Sequence, residues 1–229
     1  MDIIKKVGKR MIKAVVFDMD GLLFDTEKLY HRFWLEAAAH YGYLMKDEHA
    51  RMIVSLAAEV ASPLLQKEVC ADFDYYKVRD YRRKIMKEYT DAHGVEEKKG
   101  LEPLLEFLHK NHIRTAIATA SGEERVKRYL TDAGRLDDFE QIVCSSMVAC
   151  GKPEPDIYLE AARRLELSPD ECVALEDSPN GILSASRAGY CPIMVPDMVQ
   201  PNEEIRKLLY ACVPDLEAVI PVLKELLSV

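Results

Sequence analysis

Short apolar runs along the chain alternate with stretches whose apolar residues recur at helical spacing. The runs near 13–18, 113–118, 140–144, 172–176 and 191–195 are continuous rather than alternating, the pattern of strands covered on both faces. Between them, Leu101 to Asn111, Glu123 to Ala133, and Asp156 to Leu167 after Pro155 carry helical periodicity. This β/α alternation predicts an α/β fold, a doubly wound, Rossmann-like parallel sheet. Nearly a hundred residues separate the first two strands, far more than one crossover needs. From about Glu27 to Ala92 the pattern is helical, with Phe33, Trp34, Ala37 and Ala38 at helical spacing. The expected organisation is therefore a core from residues 1–26 and 93–229, interrupted by an all-α cap domain over 27–92, with Gly94 to Gly100 as a hinge. A helical insertion after the first strand is expected to act as a lid over the sheet's carboxyl edge.

Composition narrows the possibilities. A chain of 229 residues that is 48% hydrophobic can bury one medium core plus a small insertion. A net charge of −8 argues against nucleic acid as a partner, because phosphate backbones demand clustered cations. The six cysteines (Cys70, Cys144, Cys150, Cys172, Cys191 and Cys212) form no C-x-x-C pair and read as reduced thiols. No apolar run suits a signal peptide or a bilayer span, so the expectation is a cytoplasmic protein with no membrane partner and, by default, a monomer. The leading ten residues, with Lys5, Lys6, Lys9 and Arg10, are given no function.

The candidate chemistry begins where the first strand ends. Asp18-Met19-Asp20-Gly21 follows Ala14-Val15-Val16-Phe17; strand alternation would point both carboxylates the same way, and Gly21 permits a sharp turn. Open parallel sheets form their clefts at this carboxyl edge. Three further polar signals follow in order: Thr119-Ala120-Ser121, Gly151-Lys152-Pro153-Glu154-Pro155, and Glu176-Asp177-Ser178. As an ordered set, DMDGLLFDTE (18–27), ATAS (118–121), GKPEPDIY (151–158) and LEDSPNGI (175–182) resemble the haloacid dehalogenase superfamily, in its phosphatase and β-phosphoglucomutase-like branch with a helical cap.

The resemblance implies a Mg²⁺-dependent phosphohydrolase whose small-molecule substrate is a phosphate ester, a sugar or polyol phosphate. Asp18 is then the nucleophile, forming an aspartyl-phosphate, and Asp20 the general acid and then base. Thr119 and the Ala120 amide are expected to bind phosphoryl oxygens, with Ser121 beside them, and Lys152 supplies a fixed positive charge. The implied metal ligands are Asp18, the backbone carbonyl of Asp20, Asp177 and Glu176, a hard, oxygen-only set. Ser178 reads as a helix N-cap with Pro179 in the first turn. Thr26 matches the family's first hinge position, where it is expected to contact Asp20. Substrate choice is assigned to cap residues, with Tyr30, His31, Arg51, Glu59, Lys77 and Arg79 as polar candidates.

Departures within the cap bear on the reaction. β-Phosphoglucomutases that the chain resembles carry a His twelve residues after the nucleophile, where this sequence has Tyr30 with His31 adjacent. They also carry a Gly-x-Ser-Arg-type loop gripping a second phosphate, whereas Ile53-Val54-Ser55-Leu56-Ala57-Ala58-Glu59 contains no Arg. A phosphatase is therefore preferred, with phosphoryl transfer between sugar hydroxyls as the alternative. A true dehalogenase lacks the second acid, which Asp20 supplies. A phosphonatase would need a cap lysine, for which Lys28 and Lys77 are candidates. A binding-only relative should have lost one of the four motifs, and none is lost.

Overall fold

The structure is a computed structural model that describes residues 11–54, 56 and 58–227. Residues 1–10, and Ser55 and Ala57 of the loop lacking Arg, lie outside the described residues. The chain divides into two compact units, one formed by Met1–Phe24 with Glu97–Val229 and the other by Asp25–Glu96. The division thus falls slightly outside the 27 and 92 expected from the helical pattern.

The larger unit is built on six parallel strands: β1 (Ala14–Phe17), β2 (Arg114–Thr119), β3 (Gln141–Cys144), β4 (Cys172–Glu176), β5 (Cys191–Met194) and β6 (Ala211–Cys212). Their spatial order is β3-β2-β1-β4-β5-β6. The chain leaves β1 to lay down β2 and β3 on one side, then returns to lay down β4 on the other. That reversal creates a switch point between β1 and β4, where an open sheet forms a crevice at its carboxyl ends.

Small residues set how closely the helices approach this sheet. Ala14, Val16, Ala116, Ala118, Cys172 and Ala174 present one buried face, on which Ile157, Tyr158, Ala161 and Ala185 pack from the helices that precede and follow β4. Phe17 faces the other way and meets Phe139 edge-on, with ring centroids 5.6 Å apart. β1 stops at Phe17, so neither Asp18 nor Asp20 lies within a strand. This corrects the expectation of strand alternation. Beyond Phe17 the Asp18 amide still bonds to the Leu175 carbonyl (3.0 Å), but the chain then turns, with Gly21 at φ 80° and the Leu23 and Phe24 amides both on the Met19 carbonyl.

The smaller unit holds α1 (Thr26–His40), α2 (Asp47–Met52), α3 (Ala58–Glu68) and α4 (Tyr75–His93) around Trp34, Ala37, Ala38, Ala61, Leu65, Phe73 and Val78. Its two ends meet: the Asp25 amide bonds to the Glu96 carbonyl (2.9 Å). In the larger unit Phe24 forms an antiparallel bridge with Glu97, and the Lys98 amide bonds to the Leu23 carbonyl (2.8 Å).

The remaining helices belong to the larger unit: α5 (Leu101–Lys110), α6 (Glu123–Asp132), α7 (Asp156–Arg164), α8 (Pro179–Ala188), α9 (Glu203–Arg206) and α10 (Val219–Leu227). α7 ends three residues earlier than its apolar pattern suggested, because Leu165 caps it and Glu166 takes a left-handed φ of 53°. Among the described residues, no helix is long and apolar enough to cross a membrane.

Candidate active site

Register across three strands builds the centre of the site. Phe17 is level with Ile117 on β2 and with Leu175 on β4, so one residue further on Ala118, Asp18 and Glu176 stand abreast. Lys152, from the loop between β3 and α7, reaches across this row. Its ammonium donates to Asp18 Oδ1 (2.5 Å), to the Ala118 carbonyl (2.9 Å) and to Glu176 Oε1 (2.5 Å), which uses all three of its protons. The Lys152 side chain is only 9% exposed and Glu176 is fully buried.

Glu176 is fixed from two further directions. The Tyr158 hydroxyl, on α7, donates to Glu176 Oε1 (2.6 Å). The Ser178 hydroxyl lies 3.4 Å from Oε2 and caps α8 by accepting from the Gly181 amide (3.2 Å), as the Ser-Pro sequence predicted. A Cβ built on Gly181 would overlap the Glu176 carboxylate, so only glycine lets the first turn of α8 approach so closely.

Burial sets the electrostatics. It raises the Asp18 carboxyl to about 7, opposed by Lys152 and reinforced by the charges of Glu176 and Asp20. For Lys152, burial acts to lower the pKa, but Asp18 and Glu176 together outweigh it and keep the ammonium charged. Tyr158 is pushed well above its ordinary value by burial and by the same two carboxylates.

Carboxylate oxygens of Asp18, Glu176 and Asp177 lie within 4.8 Å of one another. This donor set is hard, oxygen-only and clustered, and Lys152 is the ammonium shared by two of its three acids. Both the chemistry of the set and its excess negative charge fit a divalent cation such as Mg²⁺.

Asp20 is held separately from this row. Its Oδ2 accepts from the Ser121 hydroxyl and from Arg125 Nη2 (2.7 Å), and Arg125 also donates to the Ser121 hydroxyl. Its Oδ1 is buried and has no protein partner among the described residues. Thr119, fully buried at the end of β2, accepts the Ser121 amide on Oγ1 (3.0 Å). The Ala120 carbonyl accepts from Ser145 Oγ (2.9 Å).

Seven residues singled out from sequence thus fall into two sets of contacts that follow the ends of β1, β2 and β4: Asp18, Lys152, Glu176 and Asp177 in one, and Asp20, Thr119 and Ser121 in the other. Thr26 is buried as the first residue of α1, in the smaller unit. That unit has its own cavity of about 210 Å³, whose lining includes Tyr30, His31, Trp34, Arg79, Arg82 and Arg83. Lys77, Arg51 and Glu59 are not part of that lining. Lys77 instead lies exposed with its ammonium over the Tyr41 ring, 4.5 Å from the centroid. Arg82 is buried with its guanidinium over Tyr30 (4.5 Å) and Trp34 (5.2 Å). Sequence reasoning passed over Arg82, Arg83, Tyr158 and Arg125. No local pattern marked Arg125, because Ser121 stands outside α6, one residue before its Gly122 N-cap, and the two share no helical face.

A family model described as haloacid dehalogenase-like hydrolase matches residues 12–189, a span that contains the whole carboxyl-edge constellation. The chain belongs to this family. Among relatives of this hydrolase, a phosphorylated carbohydrates phosphatase from Thermotoga maritima is 30% identical over 182 residues, covering 78% of this chain and 82% of the relative. A β-phosphoglucomutase from Bacillus subtilis is 29% identical over 191 residues, covering 78% and 80%. A solved structure of CbbY from Rhodobacter sphaeroides in complex with phosphate superposes with a TM-score of 0.74 at 26% identity, covering 91% of this chain and 96% of that one. The hydrolase therefore falls in the branch that holds phosphatases and β-phosphoglucomutase-like proteins, as the four motifs implied.

Proposed function

We propose that this hydrolase is a Mg²⁺-dependent phosphatase of small phosphate esters, working through an aspartyl-phosphate on Asp18. The observation that carries the reading is the presence of two differently held acids two residues apart: Asp18 fixed on Lys152 in a buried row, and Asp20 with one buried oxygen that has no hydrogen-bond partner among the described residues. Asp18 attacks phosphorus in line while the ester P–O bond breaks, and Asp20 gives its proton to the departing alkoxide. A water molecule then attacks the same phosphorus, Asp20 takes the proton from it, and the Asp18–phosphorus bond breaks. Inorganic phosphate leaves and both acids return to their starting states.

Lys152 holds the nucleophile's orientation and offsets charge on the phosphoryl group, while the Thr119 hydroxyl and Ala120 amide bind its oxygens. Asp18, Asp177, Glu176 and the Asp20 carbonyl would hold Mg²⁺, which would supply positive charge that lessens repulsion between a carboxylate and an anionic ester. The helical unit acts as a cap that selects the leaving group, with Thr26 at its first hinge. A phosphorylated sugar or polyol is the favoured substrate class, in keeping with the carbohydrate phosphatase among its relatives.

A second reading, phosphoryl transfer between sugar hydroxyls, draws support from the cavity in the helical unit. Arg79, Arg82 and Arg83 offer there the distal cations that the Ile53–Glu59 stretch lacks. The two readings separate by ³¹P NMR on β-glucose 1-phosphate, other sugar and polyol phosphates and nucleotides, with Mg²⁺ and a trace of glucose 1,6-bisphosphate. Inorganic phosphate released by the wild type and not by Asp18→Asn supports the phosphatase. Glucose 6-phosphate formed without inorganic phosphate supports transfer instead.

A further inference from the structure

We infer that Arg125 is a positioning residue for Asp20, fixing which of its two carboxylate oxygens carries the transferred proton; this rests on Asp20 being the acid. Both donors near Asp20, Ser121 Oγ and Arg125 Nη2, point at Oδ2. An oxygen that already accepts two hydrogen bonds, one from a guanidinium, has no room for a proton of its own. The proton is thereby directed to Oδ1, which is buried and has no protein partner among the described residues. Ser121 cannot set this geometry alone, because its hydroxyl rotates freely until Arg125 donates to it. Arg125 also donates to Asp20 directly, so one guanidinium fixes both the acid and the hydroxyl that supports it. Its place in the first turn of α6, immediately after the Thr119-Ala120-Ser121 strand end, makes this triangle a product of local chain geometry.

In the step this serves, the P–O bond to the leaving group breaks, its electron pair stays on the departing oxygen, and the proton on Asp20 Oδ1 passes to that oxygen as Asp18 bonds to phosphorus. A leaving group stable as an anion needs no such proton, whereas an alkoxide does. The test is therefore kcat/KM across phosphate esters, from p-nitrophenyl phosphate to alkyl phosphates, for wild type, Arg125→Ala, Arg125→Lys and Asp20→Asn. The parameter kcat/KM reports the steps up to leaving-group departure.

For Arg125→Ala the expected result is a loss of about 10²-fold on alkyl phosphates and under about tenfold on p-nitrophenyl phosphate, the cost of a misaimed acid. Arg125→Lys, which retains a charged donor but not the planar guanidinium that aims it, recovers part of the alkyl-ester loss. A uniform loss across all esters in Arg125→Ala, or no loss, overturns the inference, provided that Asp20→Asn shows the steep leaving-group dependence. If Asp20→Asn itself shows none, the acid assignment fails instead, and if the wild type cleaves no ester, the proposed function fails.

Discussion

A β-carbon on Gly181 would fall on the carboxylate of Glu176. The clash is with the end of a side chain that is itself gripped by Lys152 and Tyr158, so it cannot swing aside cheaply. Gly181→Ala should push Glu176 off Lys152, lowering phosphate release by about 10²-fold through misplacement of the row and stability by roughly 1–3 kcal/mol through overpacking. Phosphate-release kinetics and a urea melt read the two effects. An alanine variant with wild-type activity would mean that Glu176 has a second conformation close in energy to the first.

Removing the cation from the row has the opposite logic. Lys152→Met leaves Asp18 and Glu176 buried without the charge they share, and breaking a buried ion pair from one side typically costs about 3–5 kcal/mol. Activity should fall by about 10²–10³-fold with it. With Mg²⁺ bound as proposed, positive charge would return to the same carboxylates, so much of the stability loss should be recovered on titration with the ion, as thermal melts would show. A variant as stable as the wild type in the presence of a chelator would rule out the charge balance described for this row.

Proton and metal should compete at Asp18. Burial first, and then Glu176 and Asp20, raise this carboxyl to about 7 against the pull of Lys152. The folded state therefore binds a proton more tightly than the unfolded chain does, so without metal this group's contribution to stability is present at low pH and is lost as pH rises from about 4 to about 7. Mg²⁺ affinity should rise across the upper part of that range, with proton release on binding. Calorimetric titrations in buffers of differing ionisation enthalpy measure the protons released. Binding with no proton exchange at pH 6 would contradict a raised Asp18.

Gly100 offers a control away from the chemistry. It sits at φ 88° as the N-cap of α5, and a Cβ there would run into the backbone of Glu217. Gly100→Ala should cost roughly 1–3 kcal/mol and leave the turnover of folded enzyme unchanged. Denaturant melts alongside active-site titration separate the two quantities, and a loss of turnover per folded molecule would show that the segment at 97–100 transmits strain to the site.

Much of this was legible from local pattern, and the omissions share a cause. Continuous apolar runs located β1 to β5 to within a residue or so, because parallel strands buried on both faces leave that signature. β6, only Ala211–Cys212, is too short to carry any periodicity. The motifs located Asp18, Lys152 and Glu176, but the row they form depends on strand order and register, which no local pattern encodes. Arg125 escaped notice because its partner Asp20 lies 105 residues away in sequence. In α4 the sequence reading picked Lys77 and Arg79 together, yet residues two apart lie on different sides of a helix, and only Arg79 lines the cavity.

The chain passes from the larger unit to the helical one after Phe24 and back at Glu97, and each side of that break is closed by a backbone contact of its own: Phe24 with Glu97, Asp25 with Glu96. A segment whose ends meet adds little loop-closure entropy to its host, whatever its length. Such a segment behaves as a cassette. Changes of length or packing inside it need not alter the register of strands β1 to β6, so the two units are free to evolve on separate stretches of the gene.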